Sequence, residues 1–299
     1  MIDVGAVARH TAPVTAPLPA KRLLAAAVLV LAAGCAPAPG PSAAPAAGAS
    51  CAPGALATLK AGTLTFGTDQ PVYPPWFVDD DPTSGKGFES TVAYAIADKL
   101  GYAKDKVAWV RVPFNAAVQP GPKTYDVDLN EFSITGERRQ AVDFSSPYYD
   151  VKQAVVTVGT SKAAGTTTLA GLKDLKLGAQ VGTTSYDAVL KEIAPTTAPA
   201  VFNTNDDAKL ALTNGQVDAI VVDLPTAFYI TSSELTGGRI VGQLPLGSGT
   251  PEQFGAVLDK GSALTGCVSG AVDTLKAAGT LRTLETQWLS SAGSAPELR

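Results

Sequence analysis

An α/β protein built as two lobes is what the sequence predicts, and three observations carry that reading. From Leu64 onward, short β-type apolar runs alternate with stretches whose apolar residues recur at helical spacing, the pattern of parallel sheets covered by helices. Beyond an apolar run at residues 151–158 the same alternation starts again. The chain is 299 residues long, 45% apolar and 17% charged, which suits one large domain or two ordinary ones around a packed core and excludes global disorder.

In the first half, residues 64–67 and 107–112 read as strands. Between them Phe88, Val92, Ile96 and Leu100 repeat every four residues, one face of a helix that Gly101 closes. Strand, helix and parallel strand make a βαβ unit, and a third strand is predicted at 127–132. In the second half strands are predicted at 177–181 and 217–222, with helices at 186–193 and 206–212. A Gly/Pro-rich stretch at 245–249 precedes a last strand at 254–258 and helical segments around Val272 and Leu284. Crossings near Val155 and Pro251 make a two-strand hinge. The expected boundaries are 59–155 plus 252–299 for the first lobe and 156–251 for the second.

Each half places an aspartate at the mouth of an apolar strand, Asp126 before Val127-Asp128-Leu129 and Asp218 before Ala219-Ile220. Ligands collect at the carboxyl ends of strands in open α/β sheets. Two lobes that face each other there enclose a cleft.

Charge and histidine content exclude several functions. Twenty-three Lys plus Arg against 27 Asp plus Glu give a net charge of -4, which argues against a sequence-independent nucleic-acid binder. The single histidine is His10, inside a segment read below as a cleaved leader. The mature chain then has no histidine for Ser-His-Asp or Cys-His catalysis, zinc ligation or a pH switch. The acidic run Asp79-Asp80-Asp81 lacks the spacing of a calcium loop. No metal or cofactor is expected.

The leader reads from Lys21-Arg22 through the apolar run at residues 23–33 to Gly34-Cys35, the basic, apolar, small-residue order of an export signal. That run is too short to span a bilayer, which takes roughly 20 residues. Leu31-Ala32-Ala33-Gly34-Cys35 resembles a bacterial lipobox, which implies that Cys35 is acylated and becomes the mature N-terminus. Residues 1–34 are then the signal peptide and 35–58 a flexible, Pro/Ala-rich tether. Loss of the leader leaves 20 basic and 26 acidic residues. The two remaining cysteines, Cys51 and Cys267, are expected to pair, because an exported chain sits where disulfides persist.

The densest chemistry lies in Asn130-Glu131-Phe132-Ser133-Ile134-Thr135-Gly136-Glu137-Arg138. A guanidinium grips a carboxylate with two parallel bonds that an ammonium cannot reproduce, and Ser133 and Thr135 supply hydroxyl donors. Asp223 before Pro225 reads on its own as a helix N-cap. Tyr73 and Trp76 stand beside prolines, where rings pack loops as readily as they line a ligand.

These segments resemble bacterial extracellular solute-binding proteins of family 3, the receptors of polar amino-acid ABC transporters. The resemblance rests on Gly62-Thr63-Leu64-Thr65-Phe66-Gly67-Thr68-Asp69, Pro74-Pro75-Trp76, Gly87-Phe88-Glu89, Ser133 to Arg138, Val142 to Ser145 with Pro147-Tyr148-Tyr149, Val181 to Ser185, and Asp223-Leu224-Pro225, in that order across residues 60–290. It implies a periplasmic-binding-protein-like fold with the ligand cleft between the lobes. It further implies that Arg138 binds the ligand's α-carboxylate with Ser133 and the amide of Thr184, and that Asp223 binds the α-ammonium group. Tyr73, Trp76 and Phe114 fall where such proteins have aromatic walls, and Asp69 where a polar side-chain contact is usual. Asn130 and Glu131 complete the expected set.

The expected function is a membrane-tethered, extracytoplasmic, monomeric receptor that delivers an amino acid to an ABC permease with its ATPase subunit. The acidic groups favour glutamine or a basic amino acid. The alternative is an extracytoplasmic dehydratase of the cyclohexadienyl type on the same fold, with Glu131 or Asp69 as general acid.

Overall fold

The computed structural model describes residues 51–52, 55–246, 249, 251–290 and 295–299. The expected export signal, Cys35 and most of the tether lie outside the described residues. Among the described residues, no helix is long and apolar enough to cross a membrane.

The strands in chain order are β1 (Leu64–Thr68), β2 (Val107–Arg111), β3 (Val127–Asp128), β4 (Val142–Phe144), β5 (Tyr149–Val151), β6 (Gln153–Val158), β7 (Leu177–Gln180), β8 (Ala200–Phe202), β9 (Ala219–Asp223), β10 (Gly238–Gln243), β11 (Glu252–Phe254) and β12 (Val257–Asp259). They form two five-stranded sheets, β2-β1-β3-β12-β4 and β8-β7-β9-β6-β10. The sheets share one plan. In each, a parallel trio centred on its first strand meets an antiparallel strand that carries the fifth. Tyr149–Val151 and Glu252–Phe254 pair antiparallel as a separate ribbon where the chain crosses between the sheets.

The aspartates at the strand mouths do the same work in both lobes. Asp126 accepts from the amides of Leu59 at 2.7 Å and Thr65 at 2.8 Å, and Asp218 accepts from the amide of Lys176 at 2.8 Å. Each ties the start of its lobe's central parallel strand to the neighbouring strand.

In the first lobe Leu64 and Phe66 of β1 meet Phe88, Val92 and Ile96 of the helix Phe88–Lys99 and Val268 and Val272 of the helix Thr265–Ala277. Gly87, before the first of these helices, has φ 96°, and a Cβ there would lie 2.4 Å from the Trp76 carbonyl oxygen. The second sheet is covered on both faces. Ala154, Val156, Ile220 and Val222 enter one cluster while Val155, Ala219 and Val221 enter the other, the period of two expected of buried strands.

Several expectations are corrected. The apolar run 151–158 breaks at Lys152, because β5 pairs with β11 while β6 joins the second sheet; residues 153–155 thus belong to the second lobe. The strand predicted at 127–132 is Val127–Asp128 alone, since the chain turns away at Glu131, where φ is 53°. The predicted strand 254–258 is divided between β11 and β12. The last residues leave the first lobe: the Leu298 amide donates to the Gln243 carbonyl at 2.9 Å, and its side chain is buried in the second core. Leu56, assigned to the tether, is buried in the first core. A disulfide joins Cys51 to Cys267 across 216 positions, which fixes that segment to the helix Thr265–Ala277.

Candidate functional site

The carboxyl ends of β1, β3 and β9 and the start of the helix Thr184–Ala188 converge between the lobes. There Asp69, Tyr73, Phe114, Asn130, Glu131, Thr184 and Asp223 line one narrow cavity of about 40 Å³. That is far below the roughly 300 Å³ of a small ordinary ligand pocket. Ser133 reaches its rim, with its hydroxyl 3.1 Å from that of Thr184.

Glu131 is held by both lobes. Its amide donates to Glu89 Oε1 at 2.7 Å, which anchors the left-handed backbone, and its Oε2 accepts from the Thr226 hydroxyl at 3.0 Å. Glu89 also accepts from the Tyr148 hydroxyl. Asp223 ends β9, and its Oδ1 accepts from Gln153 Nε2 at 2.7 Å. Gln153 in turn accepts from the Ser185 hydroxyl at 2.7 Å.

Burial sets the protonation of these acids. Desolvation, followed by the charge of Asp223, holds the Glu131 carboxyl well above the usual carboxylate range. Asp223 is pushed up to about 8 by burial and then by Glu252. Burial pushes Glu89 up to about 7 against the opposing bonds from Tyr148 and the Glu131 amide. Asp69 is raised by burial, less opposed by the Gln70 amide and Arg111.

Arg138 lies beside this cavity rather than in it. Its Nη1 donates to the Ser133 carbonyl at 2.8 Å and its Nη2 to the Gly182 carbonyl at 3.0 Å, one from each lobe. The guanidinium carbon stands 5.5 Å from the ring centre of Phe114, which stacks on Phe132 at 4.9 Å. Arg138 lines an adjoining cavity of about 500 Å³ with Asn115, Gly182, Thr183 and Asp187. Thr183 and Thr184 belong to both cavities.

Trp76 does not form a wall of the cleft. It is fully buried in the first core, edge-on to Phe88, Tyr149 and Phe254, because the turn Tyr73 to Phe77 folds its ring inward. Of Tyr73 and Trp76, only Tyr73 lines the cavity, with Lys209 Nζ 5.4 Å from its ring centre.

Sequence reasoning missed Gln153, Thr226 and Glu252. Glu252, on the ribbon, accepts from the hydroxyls of Ser133 and Thr184 and, through Oε2, from Gln153 Nε2 at 3.1 Å. Its only sequence signal was its position at the predicted second crossing. Among the described residues, no cluster of metal-ligating side chains occurs.

The arrangement places buried carboxyl groups opposite hydroxyl donors in one desolvated cleft, with the Arg138 guanidinium at its edge, a donor and acceptor set that suits a zwitterion. Comparison with known proteins agrees. The chain is 28% identical over 240 residues to the L-arginine-binding protein of Pseudomonas aeruginosa, covering 76% of this chain and 90% of that protein. A solved ancestral arginine-binding protein bound to glutamine superposes with a TM-score of 0.63 at 33% identity, covering 76% of this chain and 97% of that one. An ancestral amino acid-binding protein described as a precursor of cyclohexadienyl dehydratase gives a TM-score of 0.62 at 29% identity over 76% of this chain and 95% of its own. Residues 64–291 match the bacterial extracellular solute-binding proteins, family 3, and the chain belongs to that family.

Proposed function

We propose that this protein is the extracytoplasmic receptor of an ABC importer for a polar amino acid, with arginine, lysine, ornithine and glutamine preferred over glutamate and aspartate. The observation that carries the reading is the facing of Glu131 and Asp223, both buried acids at the cleft, against the donors Ser133, Thr184 and Arg138 at its edge. Asp223 takes the α-ammonium group, Arg138 and Thr184 the α-carboxylate, and Asp69, Asn130 and Glu131 the side chain, beside Tyr73 and Phe114. Two of the relatives named above are described as arginine-binding proteins, one of them bound to glutamine, in keeping with that preference.

The receptor is a monomer that captures its ligand, closes about the ribbon of β5 and β11, and presents the loaded lobes to a permease with its ATPase subunit. A lipid on Cys35 keeps it at the membrane. It performs no chemistry on the ligand. The dehydratase reading draws on the raised acid at Glu131, but a dehydratase substrate without an ammonium group offers Asp223 no cation.

Calorimetry of the mature protein against the twenty amino acids tests this, with prephenate turnover as the control. Saturable heat with arginine or glutamine and no turnover is expected. Prephenate turnover without amino-acid binding would replace the receptor by the enzyme.

A further inference from the structure

The hinge ribbon carries a carboxylate into the middle of the donor set. Glu252 Oε1 accepts from Ser133 in the first lobe and Thr184 in the second. Its Oε2 shares Gln153 Nε2 with Asp223, at 3.1 and 2.7 Å. Its backbone is fixed opposite Val151 on the ribbon. Its charge also acts on Arg138, where it opposes the loss of protonation that burial causes. Two hydroxyls beside a guanidinium are donors that suit an anion, and here the chain supplies that anion itself.

We propose that Glu252 is a specificity-determining residue that disfavours anionic ligands in this cleft and so favours ligands of net positive charge, a proposal that rests on the amino-acid-receptor reading above. A ligand carboxylate that takes the two hydroxyls displaces Glu252 and strips that charge of its donors. A carboxylate that binds alongside places two like charges in one desolvated cleft. A cationic side chain offsets either cost and an acidic side chain adds to it, which is selection by repulsion as much as by attraction.

The test compares arginine and glutamate in competition titrations of the mature wild type, Glu252→Gln and Glu252→Met. Glutamine keeps the length and polarity without charge. Methionine fills the same length without needing a partner, and the hydroxyls of Ser133 and Thr184 are near enough to pair with each other. Asp150→Asn, an exposed carboxylate on the same ribbon that accepts from Gln253 at 2.8 Å, is the control. The arginine-to-glutamate affinity ratio should fall at least tenfold in either Glu252 variant and stay unchanged in the control. An unchanged ratio, or equal losses for both ligands as a purely structural role would give, overturns the proposal while leaving the receptor reading intact. A wild type that binds no amino acid overturns the receptor reading, and this proposal with it.

Discussion

The indole N–H of Trp76 donates to the hydroxyl of Thr226 at 2.7 Å across 150 positions of sequence, and that hydroxyl donates onward to Glu131. A core ring of the first lobe is thus connected to the start of the helix Leu224–Tyr229 in the second. Trp76→Phe keeps an aromatic ring but loses the bond and leaves a void. Its expected cost is about 2–3 kcal/mol of stability, with ligand affinity changed less than about threefold because Thr226 can still serve Glu131. Denaturant titration and calorimetry check both numbers. A large affinity loss at unchanged stability would return Trp76 to the ligand's wall.

Arg138 connects the lobes through two carbonyls and stands beside the hydroxyl pair. Arg138→Lys keeps the charge and loses the fork, so amino-acid affinity should fall by roughly 2–5 kcal/mol. The exposed neighbour Arg139 packs only loosely, 5.9 Å from the centre of the Phe144 ring, and Arg139→Lys should change little. Equal effects in titration would mean that Arg138 is not the carboxylate anchor.

The buried acids give stability and binding opposite pH dependences. Asp223 is raised from 3.8 to about 8 and Glu89 from 4.5 to about 7, so the folded state holds protons that the unfolded chain releases. Their contribution to stability is full below about pH 4 and is lost as pH rises through 7 and 8. The melting temperature should therefore fall between pH 5 and 9, and less steeply in Asp223→Asn. A cationic ligand prefers ionised Asp223, so its affinity should rise over the same range with release of protons, measurable as a buffer-dependent binding enthalpy. A flat melting profile would show that these acids are already ionised.

The disulfide encloses nearly the whole folded chain. Reduction, or Cys51→Ser with Cys267→Ser, should cost on the order of 2–4 kcal/mol. Mass spectrometry of unreduced peptides detects the bridge directly, and two alkylatable thiols in fresh mature protein would contradict it.

Cys35→Ser should move the protein from the membrane fraction to the medium or a soluble extracytoplasmic fraction. Unchanged membrane association would remove the lipid anchor from the account.

Much of the fold was legible because periodicity reports burial. The repeat Phe88, Val92, Ile96 marked the helix Phe88–Lys99, and the apolar run at Val217 to Val222 marked β9. The lobe boundary was obscured because one polar residue, Lys152, separates two apolar strands that belong to different sheets. Strand β10, Gly238–Gln243, contains two glycines and an arginine, and its apolar signal is only the pair Ile240-Val241. At the site, the block from Asn130 to Arg138 announced itself by density of polar groups. Trp76 did not reveal which way its ring turns, since that depends on Thr226 and Phe254, far away in sequence. Beyond its place at the second crossing, Glu252 was hidden for the same reason: its partners Ser133, Gln153 and Thr184 lie 119, 99 and 68 positions away.

The most direct measurement is the structure of the mature protein crystallised with arginine. One arginine is expected between the lobes, its α-ammonium within hydrogen-bond distance of Asp223, its carboxylate beside Thr184 and Arg138, and its guanidinium near Asp69 and Glu131. An arginine bound instead in the neighbouring cavity between Asn115 and Asp187, with no contact to Asp223, would contradict it.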